Sequence, residues 1–266
     1  MIGRIFCPTL PRDDECLASE YNGGMIINTK PAASDAFPGF SEEAFLFLKK
    51  LAKNNHRDWF LPRKGVFEEQ LHGPMTQLML AIEGEMKRKK VPLQTKPKAI
   101  LTRIYRDIRF REDKRPYHTF VGGALYRNGK KTSPGALYVH MSEKEQFAEV
   151  GFWQPERPVL TNWRLKMQAE PKTFLKLVRQ LKSKKLEIST THRLQRMPRG
   201  FEAHEGSPIG EFLRLQSFVV MRPIKKEETM SAELPRLVAR FALDAKPLLE
   251  YGWAVPEVKP VILLDE

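Results

Sequence analysis

Apolar residues recur at helical spacing near both ends of the chain and alternate in its middle. After Ser41, a side chain suited to cap a helix, come Glu42 and Glu43, where the helix dipole favours acids. Phe45, Leu48, Leu51 and Ala52 then fall on one face, predicting a helix over 42–53 that ends at Asn54 and Asn55. A second helical region begins near Pro62 and carries Phe67, Leu71, Leu78, Met79, Ile82 and Met86. Gly73-Pro74 is expected to kink or split it, and the basic run 87–90 suits its end.

The period then changes. Residues 98–110 alternate as a strand would, with Ile100, Ile104, Ile108 and Phe110 on one side. Further strands are predicted over 119–127, 135–142 and 146–153, separated by Asn128-Gly129, Ser133-Pro134-Gly135 and 142–145, all turn compositions. Helical spacing returns over 157–168 and 171–182. A short strand is expected at 186–189 and another at 215–223. A last helix is expected over 231–250, with Ser231 as cap, Pro235 in its first turn and Pro247 as a possible early stop. The simplest fold is one α+β domain with a central, mostly antiparallel sheet flanked by N-terminal and C-terminal helices. It would span 37–253, with residues 1–36 and 254–266 as tails.

Composition narrows the class. The chain has 266 residues, 41% hydrophobic and 29% charged, enough for a full core; this excludes a collagen, a coiled coil and a disulfide miniprotein. The apolar runs are too short to span a bilayer, and the N-terminus lacks the apolar stretch of a signal peptide, so a cytoplasmic location is expected and no membrane partner. Cys7 and Cys16 sit together near the N-terminus and cannot staple the body of the protein.

The net charge of +13 is concentrated. Residues 96–131 hold eleven Lys or Arg against three acids, and residues 160–200 hold eleven against two. In the first block aromatics (Tyr105, Phe110, Tyr117, Phe120, Tyr126) lie between the cations. In the second, Lys172, Lys176, Arg179 and Lys182 recur at helical spacing, more often the mark of a solvated face than of a phosphate-tracking surface.

The densest chemistry is Arg103–Tyr117. As a strand, 101–110 would place Arg103, Tyr105, Asp107 and Arg109 on one face and Ile104, Arg106, Ile108 and Phe110 on the core side. Two arginines flanking an aspartate leave a surplus cation whose planar fork suits carboxylate or phosphate. Tyr138 and His140 would share a strand face. A candidate site therefore combines His140, Asp107 and Asp113 as acid–base or orienting groups with Arg103, Arg106, Arg109, Lys114, Tyr117 and Tyr138 as ligand contacts. The competing reading makes the Arg and Asp residues a buried ion-pair network that fixes the sheet. His118, after the turn, is expected to point to solvent.

Several blocks in order carry a family resemblance: Phe37-Pro38-Gly39-Phe40, the 45–51 helix with Asn54-Asn55 and Trp59-Phe60, the 103–117 block, and Pro134-Gly135 with Tyr138-Val139-His140. Gly151-Phe152-Trp153, Arg199-Gly200-Phe201 and 215–220 complete them. Over about residues 37–253 the chain resembles the DUF2461 family of uncharacterised proteins. That resemblance implies a single α+β domain and no reaction.

No histidine pair has metal-ligand spacing, so no metal is expected, and the sequence identifies no cofactor. Gly129-Lys130-Lys131-Thr132 fails as a phosphate loop, because it lacks the preceding Gly and has Lys131 where Ser or Thr belongs. There is no G-x-S-x-G elbow and no dinucleotide fingerprint. Three readings stay open: a binder of a phosphorylated or other anionic small molecule, by extension a hydrolase or transferase; a nucleic-acid binder using both basic blocks; and an interaction protein. The sequence sets no oligomeric state.

Overall fold

The computed structural model describes residues 37–95 and 100–255. The expected tail at 1–36, with both cysteines, and all of the expected tail at 254–266 beyond residue 255 lie outside the described residues.

Helix α1 (Glu42–Lys53) has the predicted bounds. Ser41 Oγ accepts from the Ala44 N–H at 3.1 Å, and Asn54 closes the last turn at φ −125° and ψ 50°, not in the left-handed conformation. The next helical region is nearly unbroken. Helix α2 (Arg57–Phe60) passes through a tighter turn at Leu61–Arg63 into α3 (Lys64–Phe67). A wide π turn follows at Glu68–His72, and then α4 (Gly73–Arg88). The kink expected at Gly73-Pro74 is absorbed as that π turn. Pro74 has no N–H to return to the preceding turn, and widening the ladder just before it keeps the helix continuous.

Five antiparallel strands form a sheet in sequence order: β1 (Leu93–Gln94), β2 (Phe120–Arg127), β3 (Ala136–Ser142), β4 (Gln146–Phe152) and β5 (Phe218–Pro223). The β2–β3 connection begins with Asn128 and Gly129 at φ 52° and 67°, the twist-compatible turn for which Asn-Gly is suited. Between β4 and β5 come α5 (Arg157–Ala169), α6 (Pro171–Ser183) and a short α7 (Gly210–Leu213). After β5, α8 (Lys226–Thr229) leads into α9 (Leu234–Trp253). Pro247 does not stop α9, which runs a turn beyond the expected end. Its first helical residue is Leu234, and Ser231 Oγ holds the Glu233 N–H at 3.1 Å just ahead of it.

The register puts Val121, Leu125, Leu137, Val139, Met141, Ala148, Val150, Phe152, Phe218 and Val220 on one face. All ten are buried, and α4 and α9 pack over this face. Trp163 of α5 joins the core, stacked on Phe218 at 4.1 Å and 5°. A Cβ at Gly123 would collide with Met79, so α4 sits close on β2 because that position is bare.

Two expected strands did not form. Residues 186–189 make a single bridge, Ile188 to Val220. The segment over 100–110 makes only two, Leu101 to Gly123 and Tyr105 to Tyr117. Beyond the Tyr105–Tyr117 bridge the chain doubles back over 106–116 as an irregular arm. The alternation survives: Arg103, Tyr105, Asp107 and Arg109 are exposed, while Ile104, Arg106 and Ile108 are half-buried. Phe110, expected on the core side, is 94% exposed.

Candidate functional site

The arm is shaped by a local device used twice. Asp107 Oδ1 accepts from the Arg109 N–H at 3.2 Å and from its Nε at 3.1 Å, while Oδ2 takes Nη2 at 2.9 Å. Asp113 repeats the pattern two residues before Arg115, with the Arg115 N–H at 3.1 Å, Nε at 2.9 Å and Nη2 at 2.7 Å. An aspartate that captures its own downstream amide offers the backbone an alternative to ladder bonding, which is why this run turns instead of extending. Arg109 holds the Asp107 carboxyl down at about 2, and Arg115 with Arg106 holds Asp113 lower still.

Arg106 braces the base of the arm. Its Nη1 donates to Asp113 Oδ2 at 3.0 Å and to the Arg115 carbonyl at 2.9 Å, and its side chain is 15% exposed. The Asp107–Arg109 pair, by contrast, stands in solvent, so it is not a buried network holding the sheet. Lys114 Nζ reaches the Ile108 carbonyl at 3.2 Å. Arg103 and Arg111 are exposed and form no ion pair among the described residues. Tyr117 turns inward. Its ring stacks on Phe60 at 4.2 Å, its backbone is gripped by Asn55, and its hydroxyl is buried with no hydrogen-bond partner among the described residues.

His140 belongs to the other face of the sheet. There Tyr138 Oη lies 3.3 Å from His140 Nδ1, and the rings of His118, Phe120, His140 and Phe147 follow one another at 4.7, 4.6 and 4.8 Å. Among the described residues no carboxylate bonds to His140: Asp107 and Asp113 bond to arginines, and the group on His140 is a phenol. His118 is half-buried against Phe120 and does not point to solvent. Burial pulls both histidines down to about 4; Arg106 and Arg111 add to this at His118, and His118 adds to it at His140. Both are neutral at pH 7. Among the described residues no three His, Cys, Asp or Glu are grouped to hold a metal.

Three participants escaped the sequence reading. Glu149 lies directly opposite Tyr138 in register, is 8% exposed, makes no hydrogen bond or ion pair among the described residues, and is pushed by burial up to about 7. Gly122 leaves room for Tyr138, whose hydroxyl occupies the space a Cβ there would take. Asn55 reads as a helix end, yet its amide reaches 62 residues along the chain. None of the three left a signal in residue spacing, since Glu149 and Gly122 depend on strand register and Asn55 on a contact distant in the chain.

The second basic block divides by role. Lys172, Lys176, Arg179 and Lys182 stand on the exposed side of α6, opposite the buried Phe174, Leu177 and Leu181. Arg164 is buried in the fold, its Nε donating to the Leu213 carbonyl at 2.8 Å and its Nη2 to that of Leu215 at 3.3 Å. No helix among the described residues is long and apolar enough to cross a membrane.

Comparison with curated proteins and with solved structures found no match. The family comparison did: the model of a conserved hypothetical protein family, DUF2461, matches residues 43–251. The match takes in nearly all of α1 and α9, the arm and the five strands of the sheet, and the chain belongs to the DUF2461 family.

Proposed function

We propose that this protein binds single-stranded nucleic acid through the arm at 103–115. The observation that carries this reading is Phe110, 94% exposed between Arg109 and Arg111, with Tyr105 54% exposed on the same arm. Leaving a phenylalanine in water forgoes about 1.5–3 kcal/mol of burial, which favours a role outside the fold. Interleaved aromatics and cations suit a flexible polyanion, because bases stack on the rings while phosphates meet Arg and Lys. Arg103, Arg111 and Lys114 make no ion pair with a carboxylate among the described residues and supply the charge.

The same geometry weighs against a small anion held at His140. Its neighbours there are a neutral imidazole, a phenol and the Glu149 carboxyl, none of which attracts an anion.

Anisotropy with a labelled single-stranded oligonucleotide tests the proposal. Phe110→Ala is expected to weaken binding by about 1–3 kcal/mol. Affinity should fall with salt, with a log–log slope of about −0.7 per phosphate contacted. Salt-independent binding, or full affinity in Phe110→Ala, overturns it. Phe110 packs against nothing in the core, so its loss leaves the fold intact as a control.

A further inference from the structure

A cleft of about 630 Å³ opens beside β5, between that strand, α9 and the turn that ends α6. Its charged lining is Lys184, Lys185, Arg222, Arg236 and Arg240 against Glu233 and Asp244, a net of +3. Three of these cations are tied to acids. Arg236 meets Glu233 at 3.1 Å, Lys184 meets Asp244 at 3.5 Å, and Arg222 Nη2 meets Glu228 at 3.1 Å. Lys185 and Arg240 make no ion pair among the described residues.

Between the cations the wall is apolar, formed by Leu186, Met221, Leu237 and Phe241. An apolar wall fixes a ligand's body, and a few charged groups at its margin fix its orientation. The volume lies within the range of small-molecule sites, about 300–1,000 Å³. Guanidinium groups are matched to phosphate oxygens, so the excess charge selects a phosphate over a neutral polar head.

We infer that this cleft binds a small organic phosphate of mononucleotide size, with the phosphate at Arg240 and Lys185 and the organic body against Leu237 and Phe241. The site is separate from the arm and does not rest on the reading given for it.

Calorimetric titration of the full chain with AMP, and with adenosine as the uncharged probe, tests this. AMP should bind saturably, and adenosine at least about tenfold more weakly. Arg240→Glu and Lys185→Glu should each weaken AMP by about tenfold or more. Both side chains are exposed and make no ion pair among the described residues, so the melting temperature should stay at the wild-type value. Phe110→Ala should leave AMP affinity unchanged. No saturable AMP binding, equal affinity in Arg240→Glu, or loss of AMP binding in Phe110→Ala overturns the inference.

Discussion

Asn55 closes two hydrogen bonds on the backbone of Tyr117: its Oδ1 accepts from the Tyr117 N–H at 3.0 Å, and its Nδ2 donates to the Tyr117 carbonyl at 2.9 Å. One amide thus completes what a neighbouring strand would have given, and it ties the α1–α2 corner to the return limb of the arm. Tyr117 is also the residue that bridges Tyr105, so the clamp sets where the arm leaves the sheet.

Asn55→Ala should therefore cost about 1–3 kcal/mol, because it strands a partly buried N–H and C=O together. Asn55→Asp should be little better, since a carboxylate keeps the acceptor and loses the donor. Chemical denaturation gives the cost, and amide exchange at Tyr117 gives its location. Wild-type stability in Asn55→Ala, with unchanged protection at Tyr117, would show that the clamp carries no weight.

Arg106 makes a narrower prediction. It joins Asp113 to the Arg115 carbonyl across the base of the arm while remaining largely shielded from solvent. Arg106→Ala should release the arm and spare the sheet: amides at 106–116 should exchange faster while those of β2–β4 keep their protection. A uniform rise in exchange over the whole domain would mean that Arg106 supports the core instead. The variant should also raise the pKa of His118, because a nearby cation is removed.

The elements legible in the sequence are those that rest on local periodicity. The bounds of α1, β2, β3, β4, α5 and α6 fall within about two residues of expectation, because each has a repeating apolar pattern and a chemical stop. The arm was not legible as an arm. Its alternation is real, and Ile104, Arg106 and Ile108 do face inward, but two aspartates capture amides two residues on and prevent a ladder. Nothing in residue spacing distinguishes an Arg–Asp array across a strand from two pairs folded along a loop. Tyr138 and His140 were placed correctly on one face, since period two suffices for that. Glu149 and Gly122 depend on strand register, which local pattern does not supply.

Gly122 is where register can be tested. A methyl there would collide with the Tyr138 hydroxyl and ring. Gly122→Ala should destabilise the fold by about 1–3 kcal/mol, the range for overpacking, and displace the phenol from His140. Tyr138→Ala in the same chain should recover part of that loss by emptying the contested space. If the double variant is no more stable than additivity predicts, the two residues do not share that space.

The sheet face also fixes how stability depends on pH. The Glu149 carboxyl is raised from 4.5 to about 7, so the folded state binds its proton more tightly than the unfolded chain does. Its contribution is fully present below about pH 4.5 and is lost as pH rises through 7. His118 and His140 act in the opposite sense, lowered from 6.5 to about 4; their contribution is present above 6.5 and is lost as pH falls toward 4. Over pH 4.5–6.5 the unfolded chain holds two more protons at the histidines and one fewer at the glutamate, so these groups together make stability climb with pH there. Between 6.5 and 7 only Glu149 still titrates, and stability turns down. Glu149→Gln removes that downturn. Relative to wild type the variant should gain up to about 3 kcal/mol as pH rises from near 4.5 to above 7, whatever its offset from the buried amide. Unfolding free energies of the two proteins, measured from about pH 5 to pH 8, should therefore diverge steadily. Parallel curves would mean that the carboxyl of Glu149 titrates as it would in water.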